Sequence, residues 1–386
     1  MIFEQREYET RLSKAQASMA RQNLDVLLLT SEADVRYFSG FHTRFWESPS
    51  RPWFLLIPQS GKPIAVIPSI GKTLMRSTWI KDIRTWQAPD LKDDGVTLLN
   101  DTLDEVLDNK EGRVGLPFEH ESNLRMPLGD FLRLCKLRPK RHYISDNNIV
   151  RRLRAIKSCT EIEQIEMACA IAGRAFARIQ EVIKIGISEK DVFRNFQRLC
   201  LEEGADFVPY LAGGFGQNGY NDVISPASKR YLEYGEIVML DTGLQLNGYF
   251  ADFNRNFALV KSPVRAVQDC YKRLLEATSA GFNAAKPGAR VCDLFMAMDK
   301  VMTGGKNNAD SGRFGHGLGM QLTEWPSLIP QEETILEEGM VLTLEPSGET
   351  SLKTILVHEE NIVITSKGAR YLSPLAPDTI PILVSE

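Results

Sequence analysis

The chain has 386 residues, 43% of them hydrophobic and 25% charged, and a formal net charge of −4. That length accommodates two domains with separate cores, and the mildly acidic balance argues against nucleic acid as a partner. No apolar run reaches the roughly 18 residues of a membrane span, so no membrane association is expected.

In chain order, the first 21 residues are charged and amphipathic, unlike a signal peptide. A helix is expected over 4–22 and strands over 24–29, 53–58 and 63–68, the last two joined at Ser60-Gly61. A helix over 96–107 and a strand over 112–116 follow. This alternation suits a sheet covered by helices. Between the first strands, residues 41–53 concentrate aromatics and arginines: Phe41, Phe45, Trp46 and Trp53 with Arg44 and Arg51. Aromatic rings suit a cationic group and an arginine suits a carboxylate; a packed loop at a domain or dimer interface is the alternative. A long helix is expected over 160–184, with Thr160 and Glu163 as a capping box, and further helices over 189–203, 264–284 and 291–302, mixed with antiparallel strands. The glycine-rich stretch 212–220 lacks the lysine and βαβ context of a nucleotide loop. It is expected as loop punctuation bordering a pocket, with Tyr210 or Tyr220 supplying a phenol there. The six cysteines (Cys135, Cys159, Cys169, Cys200, Cys270, Cys292) make no CxxC pair and fit reduced thiols of a cytoplasmic protein.

Five residues of the second half carry the chemistry: Asp241, Asp252, His316, Glu345 and Glu359. Asp241 closes the apolar run 237–240, Glu345 follows 341–344, and Glu359 precedes 362–364. A carboxylate at the end of a β-run is costly to bury without a positive neighbour. Four carboxylates and an imidazole in one place call for roughly +4 of compensating charge, which two divalent cations supply. Asn247-Gly248 is a two-residue hairpin signal. With that turn, Leu246 faces Tyr249 and Gly243 faces Asp252, so Asp241 lies one diagonal step from Asp252 and Gly243 leaves room for an ion. His316 is framed by Gly315 and Gly317, alone among five histidines.

Taken together, these segments resemble peptidase family M24, the aminopeptidase P, prolidase, methionine aminopeptidase and creatinase family with its pita-bread fold. Asp241-Thr242-Gly243, the segment from Tyr249 to Arg255, His316-Gly317-Leu318-Gly319, Leu344-Glu345-Pro346 and the segment from Glu359 to Thr365 are similar to the five ligand motifs in family order. Arg154 to Ser158 with Glu161-Ile162 is similar to the opening of its catalytic domain. The resemblance implies an α/β creatinase-like N-terminal domain over 1–152 and an α+β pita-bread catalytic domain over 153–386. It also implies two divalent ions (Mn, Fe, Co or Zn): Asp241 binds one, Asp252 and Glu359 bridge, and His316 and Glu345 bind the second. Asp252 and Glu345 are the implied catalytic groups, and Trp46, Arg44, Arg51 and Tyr220 the implied substrate contacts. The active unit is then a homodimer in which Trp46 reaches the partner's site.

The departures are specific. Where members that cut beside proline carry histidines, this chain has Ile224, Gly312 and Thr323. Asn254 replaces a threonine or serine, and Val357 an arginine. Thr323 to Pro326 resembles the dimethylsulfoniopropionate-lyase branch, but Gly243 stands where that branch has an aspartate. The expected function is dinuclear hydrolysis of an amide-type bond in a small-molecule or short-peptide substrate that is not a standard proline dipeptide. A lyase, a genuine Xaa-Pro peptidase and a non-catalytic binding protein are the alternatives.

Overall fold

In a computed structural model, residues 2–48, 51–108, 111–305 and 312–384 are described. They form two compact units, Met1–Arg154 and Ala155–Glu386. No helix among the described residues is long and apolar enough to cross a membrane.

The first unit is built on six strands: β1 (Val26–Leu29), β2 (Phe54–Pro58), β3 (Ile64–Pro68), β4 (Asp82–Trp86), β5 (Arg113–Leu116) and β6 (His142–Ser145). They lie in the order β4-β3-β2-β1-β5-β6, with β1–β2 and β2–β3 antiparallel and the rest parallel. Helix α1 (Gln5–Gln22) buries Tyr8, Arg11, Leu12, Ala15 and Met19, one face at helical spacing, and stops at Asn23 in the left-handed conformation. Helix α2 (Glu32–Ser39) starts at Ser31, whose side chain caps Asp34 N. The short α3 (Lys72–Arg76), α4 (Val96–Val106), α5 (Leu128–Leu137) and α6 (Ile149–Ala155) follow. Val26, Leu28, Phe54, Leu56, Val66, Leu99, Leu103 and Val114 form the core against α4. Strands β4 and β6, which the sequence did not announce, are the two edges of the sheet. Edge strands bury little, so neither carries an apolar run.

The second unit opens with α7 (Cys159–Ala177) and α8 (Glu189–Glu202). The capping box of α7 is Ser158 with Glu161, not Thr160 with Glu163: Ser158 Oγ accepts from Glu161 N and Glu161 Oε2 accepts from Ser158 N at 3.0 Å. The helix ends at Ala177, short of 184, and gives way to a 3-10 turn over Ile179–Glu181. The glycine-rich stretch is no loop but most of a strand, β7 (Phe207–Gln217). Its glycines admit neighbours: a Cβ at Gly214 would stand 2.4 Å from the Tyr220 ring, and one at Gly213 2.9 Å from Met239 O. Strands β8 (Glu236–Leu246), β9 (Tyr249–Phe250) and β10 (Phe253–Ala258) complete a sheet ordered β10-β8-β7, with β9 paired to β8. After α9 (Arg265–Ala284) and α10 (Val291–Thr303) come β11 (His316–Gly317), β12 (Glu324–Ser327), β13 (Val341–Leu344), β14 (Ser347–Glu349), β15 (Ile355–Val357), β16 (Glu360–Thr365) and β17 (Gly368–Tyr371). The second sheet runs β12-β11-β13-β16-β17. Its core packs Leu342, Leu344, Ile362 and Ile364 on Leu294, Phe295 and Met298 of α10.

Two buried polar clamps tie the sheets together. The Asn361 side chain accepts from Asp252 N at 3.0 Å and donates to Asp252 O. Arg255 pairs with Glu360 at 3.0 Å and donates to Glu359 O at 3.2 Å. Buried polar groups satisfied in this way fix one arrangement of the backbone, and here that backbone carries Asp252 and Glu359.

Candidate metal centre

The hairpin positions the two aspartates. Asn247 and Gly248 have φ of +52° and +78°, as a type I′ turn requires. Leu246 pairs with Tyr249, Thr242 with Phe253 and Asp241 with Asn254, and the same register sets Asp252 beside Gly243. The expected register is thus the observed one. The expected role of Gly243 is not: a Cβ there would lie 2.3 Å from Leu322 Cδ1 and 3.1 Å from Tyr210 Cβ. The space belongs to those two side chains, not to an ion.

His316 begins β11, and its glycines are required by close packing. A Cβ on Gly315, where φ is +146°, would meet Thr343 O at 2.2 Å; one on Gly317 would meet Trp325 O at 2.4 Å. His316 Nδ1 is 2.8 Å from Gly317 O, an atom that only accepts, so the ring proton sits on Nδ1. Nε2 lies 3.5 Å from Asp252 Oδ2 and 3.8 Å from Glu345 Oε2. Ligand atoms of Asp252, His316 and Glu359 all lie within 4.8 Å of one another. Asp241 and Glu345 are near enough for their charges to act on Glu359 and Asp252. Asp252, His316 and Glu359 therefore meet, with Glu345 Oε2 3.8 Å from His316 Nε2 and Asp241 close enough to act on them by its charge.

Burial, then the neighbouring carboxylates, push Asp252 and Glu359 well above the usual carboxylate range. Asp241 is pushed up to about 7, burial first and Glu345 second, with the Tyr210 hydrogen bond opposing. Asp241 Oδ1, Glu359 Oε1 and Asn254 Oδ1 are buried with no hydrogen-bond partner. These orphans are all acceptors. Together with the clustered carboxylates, they make a surface complementary to cations. The residues fit divalent metal. The oxygen-rich donor set with one imidazole suits Mn, Fe, Co or Zn.

Two groups border the carboxylates. Tyr210 donates its phenol to Asp241 Oδ2 at 3.2 Å. Arg313 donates Nε to Glu345 Oε1 at 3.1 Å, and its charge opposes the upward shift of Asp252. Arg313 was not expected here, and of the two tyrosines Tyr210, not the implied substrate contact Tyr220, is the one at the carboxylates. The Tyr220 hydroxyl is 3.1 Å from Asn256 Oδ1 and accepts from Val357 N at 2.7 Å, and its ring is buried among Ile237, Met239 and Leu356. Tyr220 is a core residue, which corrects its expected substrate contact. The signal for Tyr210 was the register between β7 and β8, which sets it opposite Gly243 on the face of Asp241; no tight turn announces that register.

In the first unit, the Trp46 ring is 7% exposed, packed 5.8 Å from Trp53 with the Arg125 guanidinium 5.0 Å over it. It faces inward, contrary to the outward reach expected of it. Arg125 also holds the carbonyls of Trp46, Ser48 and Arg51. Arg44 is exposed, and Arg51 stacks on Phe45 at 5.4 Å. Pro49 and Ser50 of this loop lie outside the described residues. Of the positions lacking histidine, Ile224 is 83% exposed, and Gly312 and Thr323 are exposed beside Arg313. His358, next to Glu359, is turned to Thr278 Oγ1 at 2.8 Å.

Fold and site together define a metal-dependent hydrolase. Residues 163–368 match metallopeptidase family M24, and residues 11–156 match the creatinase/prolidase N-terminal domain. The uncharacterized peptidase YqhT of Bacillus subtilis is 30% identical over 371 residues, 94% of this chain and 97% of that protein. The Xaa-Pro dipeptidase of Pyrococcus furiosus is 32% identical over 231 residues, 59% of this chain and 65% of that protein. The crystal structure of dipeptidase PepE from Mycobacterium ulcerans superposes with a TM-score of 0.84 at 24% identity, covering 99% of each chain. The chain belongs to metallopeptidase family M24, with a creatinase-type N-terminal domain and a pita-bread catalytic domain.

Proposed function

We propose that this chain hydrolyses an amide-type C–N bond of a short peptide or similar small molecule, using two divalent ions, and that standard Xaa-Pro dipeptides are poor substrates. The observation that carries the reading is the cluster of Asp252, His316 and Glu359 ligand atoms within 4.8 Å of one another, together with the buried, unpartnered oxygens Asp241 Oδ1 and Glu359 Oε1. Asp241 would hold one ion, Asp252 and Glu359 would bridge, and His316 and Glu345 would hold the other. When bound, such ions polarise the substrate carbonyl and lower the pKa of the attacking water. Glu345, whose Oε1 accepts from Arg313 Nε, would take the nucleophile's proton. Tyr210 keeps Asp241 oriented through Oδ2. A peptide bond as target is supported by the dipeptidase names of the relatives. Discrimination against proline substrates is supported by Ile224, Gly312 and Thr323, since a positioned proton-transfer group is worth about 10²–10⁴-fold. Arg44 and Arg51 are proposed to contact substrate within a homodimer.

The test is a turnover panel of non-prolyl dipeptides, Xaa-Pro dipeptides and simple amides, run after chelation and again after adding Mn. Chelator-sensitive cleavage of a non-prolyl amide, with Xaa-Pro dipeptides at least about 100-fold slower, supports the reading. Xaa-Pro dipeptides as the preferred substrates would overturn the specificity; cleavage indifferent to chelation would overturn the mechanism.

A further inference from the structure

We propose that Asn361 is a positioning residue that sets the separation of Asp252 and Glu359, and with it whether two divalent ions bind as one bridged pair. The inference rests on the dinuclear reading of the cage. The two carboxylates come from different sheets: Asp252 lies in the gap between β9 and β10, and Glu359 immediately precedes β16. They are far apart in the chain, so tertiary contacts set their spacing.

Asn361 supplies such a contact. It is fully buried in β16, two positions beyond Glu359, and pairs with Thr343 of β13. Its N–H donates to Ser373 Oγ at 2.9 Å, and its carbonyl accepts from Leu372 N at 2.8 Å. The backbone of Asn361 is thus held within the second sheet, while its side chain reaches the first. Oδ1 accepts from Asp252 N at 3.0 Å, and Nδ2 donates to Asp252 O. A peptide N–H only donates and a carbonyl only accepts, so neither bond survives exchange of the two amide atoms. Cys169 Sγ of α7 also donates to Oδ1, at 3.2 Å. Asp252 belongs to neither β9 nor β10, and the Asn361 amide takes the part of a neighbouring strand for its peptide groups.

Ligand atoms of Asp252 and Glu359 lie within 4.8 Å of each other. Binding constellations work only within about 0.5 Å of the required geometry. A displaced Asp252 backbone would leave each carboxylate able to hold an ion but not to share a pair. Arg255, the other tie between the sheets, bonds Glu360 and Glu359 O; Asn361 grips the peptide groups of Asp252 itself. The alternative is that Asn361 only stabilises the fold. A stabilising tie lowers the unfolding midpoint and leaves the bound ions as they were, whereas a positioning residue changes how two bound ions interact.

The experiment titrates Mn into the chelator-stripped full chain and follows its electron paramagnetic resonance signal. A carboxylate-bridged Mn pair is exchange-coupled, and isolated ions are not. Wild type, Asn361→Leu, Cys169→Ala, Cys169→Ser and Ile364→Val are compared, with urea midpoints measured alongside. Ile364 is a buried residue of the same strand, and its truncation to valine controls for lost stability alone. Wild type is expected to show the coupled signal. Asn361→Leu keeps a branched side chain and removes both bonds. It should lose the coupled signal, and its weaker Mn site should fall about 10–100-fold in affinity, the range for groups that orient metal ligands. Cys169→Ala should lose part of the signal, and Cys169→Ser, which retains a donor, should keep it. Ile364→Val should retain it in full. A coupled signal unchanged in Asn361→Leu overturns the inference, as does its equal loss in Ile364→Val. Where Asn361→Leu does not fold, an unchanged signal in Cys169→Ala overturns it instead. In these cases the dinuclear reading stands. Wild type without a coupled signal at saturating Mn overturns that reading and the inference together.

Discussion

Tyr210 donates its phenolic O–H to Asp241 Oδ2 across 3.2 Å, from the strand adjacent to the one bearing the aspartate. Burial and the surrounding carboxylates push the phenol up, so it remains a donor. One oxygen of Asp241 is thereby fixed, and the other, Oδ1, is left without a protein partner.

Tyr210→Phe keeps the ring and removes the donor. Outer-shell partners of this kind are worth about 10–100-fold in metal affinity, so Mn binding should weaken by that factor with little change in thermal stability. Equilibrium dialysis against Mn checks it. Unchanged affinity would mean that Asp241 is oriented by the backbone of β8 alone.

Gly243→Ala places a methyl 2.3 Å from Leu322 Cδ1. Overpacking of this sort costs about 1–3 kcal/mol, and here it also displaces Tyr210. The variant should lose both stability and activity, and adding Leu322→Ala should recover most of each. If Gly243→Ala alone behaves as wild type, the contact is not tight in solution.

Much of this site was legible in the sequence because the hairpin is local. Asn247-Gly248 fixes the register of β8 and β10, and that register fixes which side chains share a face with Asp241. The ligand residues were legible because a carboxylate that closes an apolar run is too costly to bury unless a cation faces it. The tyrosine was not, because 18 residues separate β7 from β8 with no tight turn to set their pairing. Arg313 was not, because a lone arginine beside glycine has no periodicity to expose it. Trp46 misled because an aromatic-rich loop looks alike whether its rings pack inward or outward.

Trp46→Ala should act on stability. The ring is buried against Trp53 and Arg125, so its removal should destabilise the first unit by about 3–5 kcal/mol. Urea unfolding followed by tryptophan fluorescence measures this. Lost activity at unchanged stability would instead support a direct role at a substrate.

Asp146 gives the first unit a pH dependence. Burial pushes its carboxyl up to about 6, although Asn148 N and Val150 N donate to it at 3.0 and 3.3 Å. A folded-state pKa above the unfolded one means that the contribution is present below about pH 4 and lost as pH rises through about 6, a change of about 3 kcal/mol. The wild-type urea midpoint should therefore be less favourable at about pH 7.5 than at about pH 5, and Asp146→Asn should narrow that difference. Identical pH dependence in both proteins would contradict the assignment.

On the proposed function, Asp241, Asp252, His316, Glu345 and Glu359 form one dinuclear cage. Elemental analysis of chelator-stripped protein, re-equilibrated with Mn and freed of unbound metal, counts the ions that this cage holds. About two ions per chain are expected in wild type and fewer than about one in Asp252→Asn and in Glu359→Gln, where a proposed bridge would be lost. Wild type holding less than one ion, or either variant retaining two, would contradict it.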